Sequence, residues 1–145
     1  MREIKFRAWL FKRKMMVDLD SLIFLGPNRF GIGFTNAQKT GLYEEDMEKD
    51  DYVYLNLNNS PEPFEVMQYT GVEDKNGREI YEGDIIEFLE NESGETWTAK
   101  IVFENLAFKA LDVEDEGYEY DFDDLTDIEA IGNIYENPEI LKDTK

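Results

Sequence analysis

Apolar and polar residues alternate from the start of the chain. Ile4, Phe6 and Ala8 fall on one side of an extended segment and Glu3, Lys5 and Arg7 on the other, which predicts a strand over residues 3–8 with one face buried. A polar loop follows at residues 12–14. Residues 15–25 predict one or two further strands, ended by the turn formers Gly26, Pro27 and Asn28, after which Phe30, Ile32 and Phe34 alternate with Gly31 and Gly33. The first 35 residues therefore read as a β meander. From Asn36 to Asp51 the pattern dissolves: Gly41 lies in a polar stretch, and seven of the eight residues from Glu44 to Asp51 are charged, which predicts a loop or a short helix. Tyr52, Tyr54 and the residues to Leu57 resume an extended segment, cut by Asn58, Asn59, Ser60 and Pro61-Glu62-Pro63. The two prolines disfavour helix and remove two backbone donors, so we divide the chain near residue 61 into regions 1–60 and 61–145.

Beyond that division the strand signals sharpen. Residues 64–69, 85–89 and 97–103 are separated by turn chemistry at Asn76-Gly77 and at Glu92-Ser93-Gly94. In the last of these segments Trp97, Ala99, Ile101 and Phe103 share one face, and Thr96, Thr98 and Lys100 the other. Tyr118, Tyr120 and Phe122 interleave with Glu119, Asp121 and Asp123, so a strand there would be aromatic on one face and anionic on the other. Residues 128–135 predict a closing strand. Asn137 and Pro138 then read as an N-cap and first helical residue of a short terminal turn. Five or six short strands with regular turns predict a small barrel, so the fold class is mainly β.

Charge changes the picture of the surface. The 145 residues carry 34 acids, 15 bases and no histidine, a formal charge of -19. Such a field repels nucleic acid and anionic membranes, so direct nucleic-acid binding is not expected. Residues 1–17 oppose the trend with six bases and one acid, a local +5 that leaves -24 on the remainder. This polarity can draw the basic strand to the acidic body of its own chain or of another copy, the basis for expecting a homo-oligomer. No apolar run approaches the roughly 18–20 residues of a membrane helix, and no signal sequence is evident, so a cytoplasmic protein is expected.

The absence of Cys and His from the sequence excludes disulfides, thiolate zinc sites and cysteine or histidine catalysis. Residues 112–129 contain no EF-hand spacing, and Gly31-Ile32-Gly33 lacks the third glycine of a dinucleotide loop, because position 36 is Asn. No cofactor is expected. Asn76 and Gly77 predict a hairpin turn that needs positive φ. Gly83-Asp84 predicts a sharp turn in which the Asp84 carboxylate accepts backbone N–H groups; a carboxylate-dependent nuclease or hydrolase built on Asp84, Tyr81 or Glu82 is the enzymatic alternative. Glu119, Asp121, Asp123 and Asp124 are the candidate partner-binding residues. On a regular strand the first three would stand about 6.6–6.8 Å apart, a row that a nucleic-acid-binding protein could take for phosphates. The simpler reading of the same row, which takes precedence over the first, is a solvated face whose like charges prevent edge-to-edge aggregation.

Three stretches resemble the YopX family of small phage and prophage proteins: MREIKFRAW at 1–9, MQYTGVEDKNGREIYEGDII at 67–86 and IGNIYENPEIL at 131–141. Leu10 departs from the Asp that often follows FRAW in similar proteins. The resemblance implies a C-terminal SH3-type barrel preceded by a smaller N-terminal β region, with no defined enzymatic activity and no cofactor. Taken with the lack of catalytic constellations and the extreme acidic surface, it points to a non-enzymatic phage or prophage accessory protein that binds a host or phage protein in the host cytoplasm.

Overall fold

The computed structural model describes residues 3–26, 29–35, 52–56, 63–115 and 117–142. The expectations for residues 36–51, for Pro27-Asn28 and for Pro61 lie outside the described residues. The described chain is mainly antiparallel β. It divides into two compact units, Lys5–Met67 and Met1–Ile4 with Gln68–Lys145.

The first unit contains β1 (Phe6–Leu10), β2 (Met15–Asp18), β3 (Ser21–Gly26), β4 (Arg29–Thr35), β5 (Tyr52–Asn56) and the beginning of β6 (Phe64–Glu73). β1 and β2 form a hairpin closed at Leu10 and Met15, with Lys14 in the left-handed region at φ 54°. β3, β4 and β5 make a three-stranded antiparallel sheet. Ala8, Leu10, Val17, Ile32, Phe34 and Phe64 form the core of this unit, so the alternation that singled out Ile32 and Phe34 marks its inward face. The N-terminal strand differs from expectation. It begins at Phe6, four successive residues from Arg7 to Leu10 are buried, and Ile4 is 65% exposed. In strand order β1 stands between β2 and β6. Because successive side chains point to opposite faces, burial of all four residues from Arg7 to Leu10 means that both its faces are covered, which one-sided alternation does not describe.

The second unit continues β6 from Gln68 and adds β7 (Glu79–Tyr81), β8 (Asp84–Glu90), β9 (Thr96–Glu104), β10 (Ala107–Asp112), β11 (Glu119–Tyr120), β12 (Leu125–Asn133) and helix α1 (Pro138–Lys142). Five of these strands form a curled antiparallel sheet in the order β11-β10-β9-β8-β12. Ile80, Ile86, Phe88, Ala99, Ile101, Ala110 and Leu125 form its core. Across the β8–β9 pair Ile86 lies opposite the small Ala99, whereas Phe88 lies opposite Trp97, two large aromatic side chains on one cross-strand pair. Burying each large aliphatic or aromatic side chain stabilises by about 1.5–3 kcal/mol. Phe103, on the same strand face, is 51% exposed beyond this core and meets Phe108 edge-on, ring centroids 4.9 Å apart.

Candidate functional site

The turn between β6 and β7 is organised by a residue that sequence reading passed over. Asp74 Oδ1 accepts the N–H groups of Asn76 and Arg78, each at 2.9 Å, and its Oδ2 accepts Ala130 N–H from β12 at 3.0 Å. Its backbone carbonyl accepts Gly77 N–H at 3.0 Å. Burial pushes the Asp74 pKa up, but the three backbone donors outweigh it and hold the carboxyl below its usual range. Gly77 adopts φ 82°, as the turn signal required, whereas Asn76 has no positive φ. The geometry is therefore a turn closed by one left-handed glycine, with Asp at its first position. The available signal was Asp two residues before Asn-Gly, an Asx-turn spacing.

Gly83 is also left-handed, at φ 83°. It lets the chain reverse between β7 and β8, so that Asp84, with 0% exposure, accepts Tyr81 N–H on Oδ2 at 2.8 Å. Glu82 reaches back to accept Gln68 N–H at 3.0 Å. The residues of EIYEGDII thus lock a turn, and the Asp84 carboxylate is enclosed. After β12, Asn133 Oδ1 accepts the N–H groups of Tyr135 and Glu136, while Asn133 N–H donates to Asn137 Oδ1 at 3.2 Å. Pro138 opens α1 as expected, with the Asn137 side chain bonded back toward the strand.

The acidic ridge does not form the even row expected of a strand. Only Glu119 and Tyr120 are extended, paired with Leu111 and Ala110, and Phe122–Asp124 close into a 3₁₀ turn. Glu119, Asp121, Asp123 and Asp124 are all exposed. Glu119 Oε2 meets Lys109 Nζ at 2.8 Å, and this hydrogen bond raises the Lys109 pKa. The alternation of aromatic and acidic residues is strand-like, but pairing on one side ends after two residues and the chain turns.

Beside the ridge lies a cleft of about 320 Å³. Trp97 from β9, Tyr120 from β11 and Tyr118 just before it supply aromatic lining, and Glu90, Glu92, Asp112, Glu114 and Asp115 supply carboxylates. Tyr118 and Tyr120 rings stand 4.7 Å apart at a 55° tilt, and Tyr120 packs edge-on against Phe88 at 4.9 Å. Tyr120 donates its O–H to Asp112 Oδ2 at 2.9 Å, and burial followed by this carboxylate pushes the phenol well above its usual range. Asp112 Oδ1 also accepts the N–H groups of Glu114 and Asp115. The Ser93 hydroxyl, then the N–H groups of Glu92 and Ser93, hold the Glu90 carboxyl below its usual range. Glu90 therefore stays anionic. The interleaved pattern puts Tyr118 and Tyr120 on an aromatic face but carries no signal for the union of that face with Trp97. Among the described residues no three carboxylates converge as a metal site, and no helix is long and apolar enough to cross a membrane.

A family model described as YopX protein matches residues 5–142. Among solved structures, protein EF1440 from Enterococcus faecalis is 24% identical, with a TM-score of 0.59 over 97% of this chain and 99% of that one. Protein yopX from Bacillus subtilis is 20% identical, with a TM-score of 0.59 over 96% and 98% of the respective chains. No curated protein matches. At these identities the two structural likenesses are likenesses of fold.

Proposed function

The chain belongs to the YopX family, and on that footing we propose that it is a non-enzymatic phage or prophage accessory protein that acts by binding another protein in the host cytoplasm. The observation that carries this reading is the exposed acidic surface of the second unit, where Glu114, Asp115, Glu119, Asp121, Asp123 and Asp124 all face solvent. A surface of one sign speeds encounter with a basic partner and rejects acidic ones. The enclosure of Asp84 supports binding over hydrolysis, since a general base must reach its substrate. We read the curled five-stranded sheet as an SH3-type barrel, a fold that fixes no chemistry and offers loops and sheet faces to partners. The charge of the basic N-terminal segment in one copy, opposite in sign to this acidic surface in another, also favours self-association at low salt.

The test is capture of partners from a host lysate by tagged wild type and by the variant Glu119→Gln, Asp121→Asn, Asp123→Asn, at low and moderate salt. We expect one or a few proteins bound at low salt, weakened by salt and lost in the variant. Equal capture by both forms removes the acids from the interface, and capture of nothing at any salt overturns the reading. Light scattering of the purified protein at the same salts reports self-association.

A further inference from the structure

We propose that the aromatic and acidic cleft of the second unit binds an organic cation, the guanidinium of an arginine side chain presented by a protein partner. The proposal rests on the protein-binding reading above and adds the chemistry of the contact. Aromatic ring faces carry negative potential and attract cations, and an arginine plane stacks on them while its N–H groups fork onto carboxylates. The cleft offers both at once. Five of its nine described lining residues are acidic and none of the nine is basic, so its charge selects a cation. Among the described residues the carboxylates do not converge on a point, which disfavours a bare metal ion and suits a planar, extended charge.

The walls are held in place before any ligand arrives. Tyr120 is fixed between Phe88 and its hydrogen bond to Asp112, itself buried at 4% exposure. Tyr118 leans against Tyr120 yet remains 54% exposed, a large ring kept at the cleft mouth instead of in the core. A volume of about 320 Å³ admits one long side chain. Preorganised walls reduce the ordering cost of binding.

The experiment uses the full chain labelled with ¹⁵N, titrated with acetyl-Gly-Arg-Gly-amide and with the neutral isostere acetyl-Gly-citrulline-Gly-amide. The arginine peptide is expected to shift the Trp97 indole and the Tyr118 and Tyr120 amides saturably, and the citrulline peptide is not. Tyr118→Leu should weaken the arginine peptide about two- to fivefold, whereas Tyr118→Phe, which keeps a ring, should retain it. Tyr118 is exposed enough that neither change threatens the fold, and unchanged circular dichroism checks this. Shifts scattered over the exposed acids, or equal affinity in Tyr118→Leu, overturn the cleft as an arginine site. In the lysate assay, a partner held as firmly by Tyr118→Leu as by wild type also overturns it, while the protein-binding reading stands. Arginine-peptide binding at the cleft with no partner captured at any salt supports the cation site and overturns the protein-binding reading instead.

Discussion

Asp74 has both carboxylate oxygens committed to backbone donors that lie far apart in the chain, Asn76 and Arg78 in its own turn and Ala130 in β12. Replacing it by Asn leaves one acceptor and turns the other into a donor, which a backbone N–H cannot use. Asp74→Asn should therefore destabilise the protein by about 1–3 kcal/mol, measured as a shift of the urea midpoint at neutral pH. The pH dependence follows from the lowered pKa. An acid whose folded pKa lies below its ordinary value, here 3.8, stabilises fully above that value and loses the contribution as pH falls through the folded pKa. The gap between wild type and Asp74→Asn should narrow below about pH 4. A gap that stays constant on acidification would remove the ionised carboxylate from the explanation. Gly77 was legible because a left-handed turn position restricts residue type. Asp74 was not, because its partner Ala130 is 56 positions away, and a short-range pattern carries no information about it.

At the scale of elements, the third stretch that resembles the family encodes a packed corner. A Cβ on Gly132 would stand 2.5 Å from Asn137 Oδ1 and 2.9 Å from Asn137 Cβ, so β12 and the start of α1 approach more closely than any side chain at 132 allows. Gly132→Ala should cost about 1–3 kcal/mol in thermal or urea denaturation. Combined with Asn137→Gly, which removes the clashing side chain, its cost should be smaller than when made alone. Strict additivity would sink the clash account. Strands with a turn signature at their ends were legible, among them β8 and β9. The strand β10 was not: its hairpin with β9 turns through Asn105 and Leu106, at φ 52° and 68°, with Leu in a left-handed position where glycine is the usual marker. The 3₁₀ turn at Phe122–Asp124 was hidden for a different reason. Alternation reports which side a residue faces once extended, and says nothing about whether a neighbouring strand is there to pair with it.

For the whole molecule the dominant quantity is the net charge of -19, which works against compaction through self-repulsion. Raising NaCl from about 20 to about 300 mM should shift the urea midpoint upward, because screening relieves that repulsion more than it weakens single surface pairs such as Lys109–Glu119. A midpoint that falls with salt would mean that paired charges dominate instead. The mainly β class and the acidic surface were legible from composition and periodicity, which sum over the entire chain. The cleft was not, because Trp97 and Tyr118 meet there only through the order β11-β10-β9-β8, a property of strand pairing and not of any segment. The pairing of β8 with β12 also has a consequence for synthesis. Asp84 lies opposite Asn133 and Glu90 opposite Leu125. While a ribosome is still extending the chain toward Leu125, β8 has β9 on one side and a bare row of backbone donors and acceptors on the other. The nascent second unit must therefore wait with that edge open until residue 133 has cleared the exit tunnel.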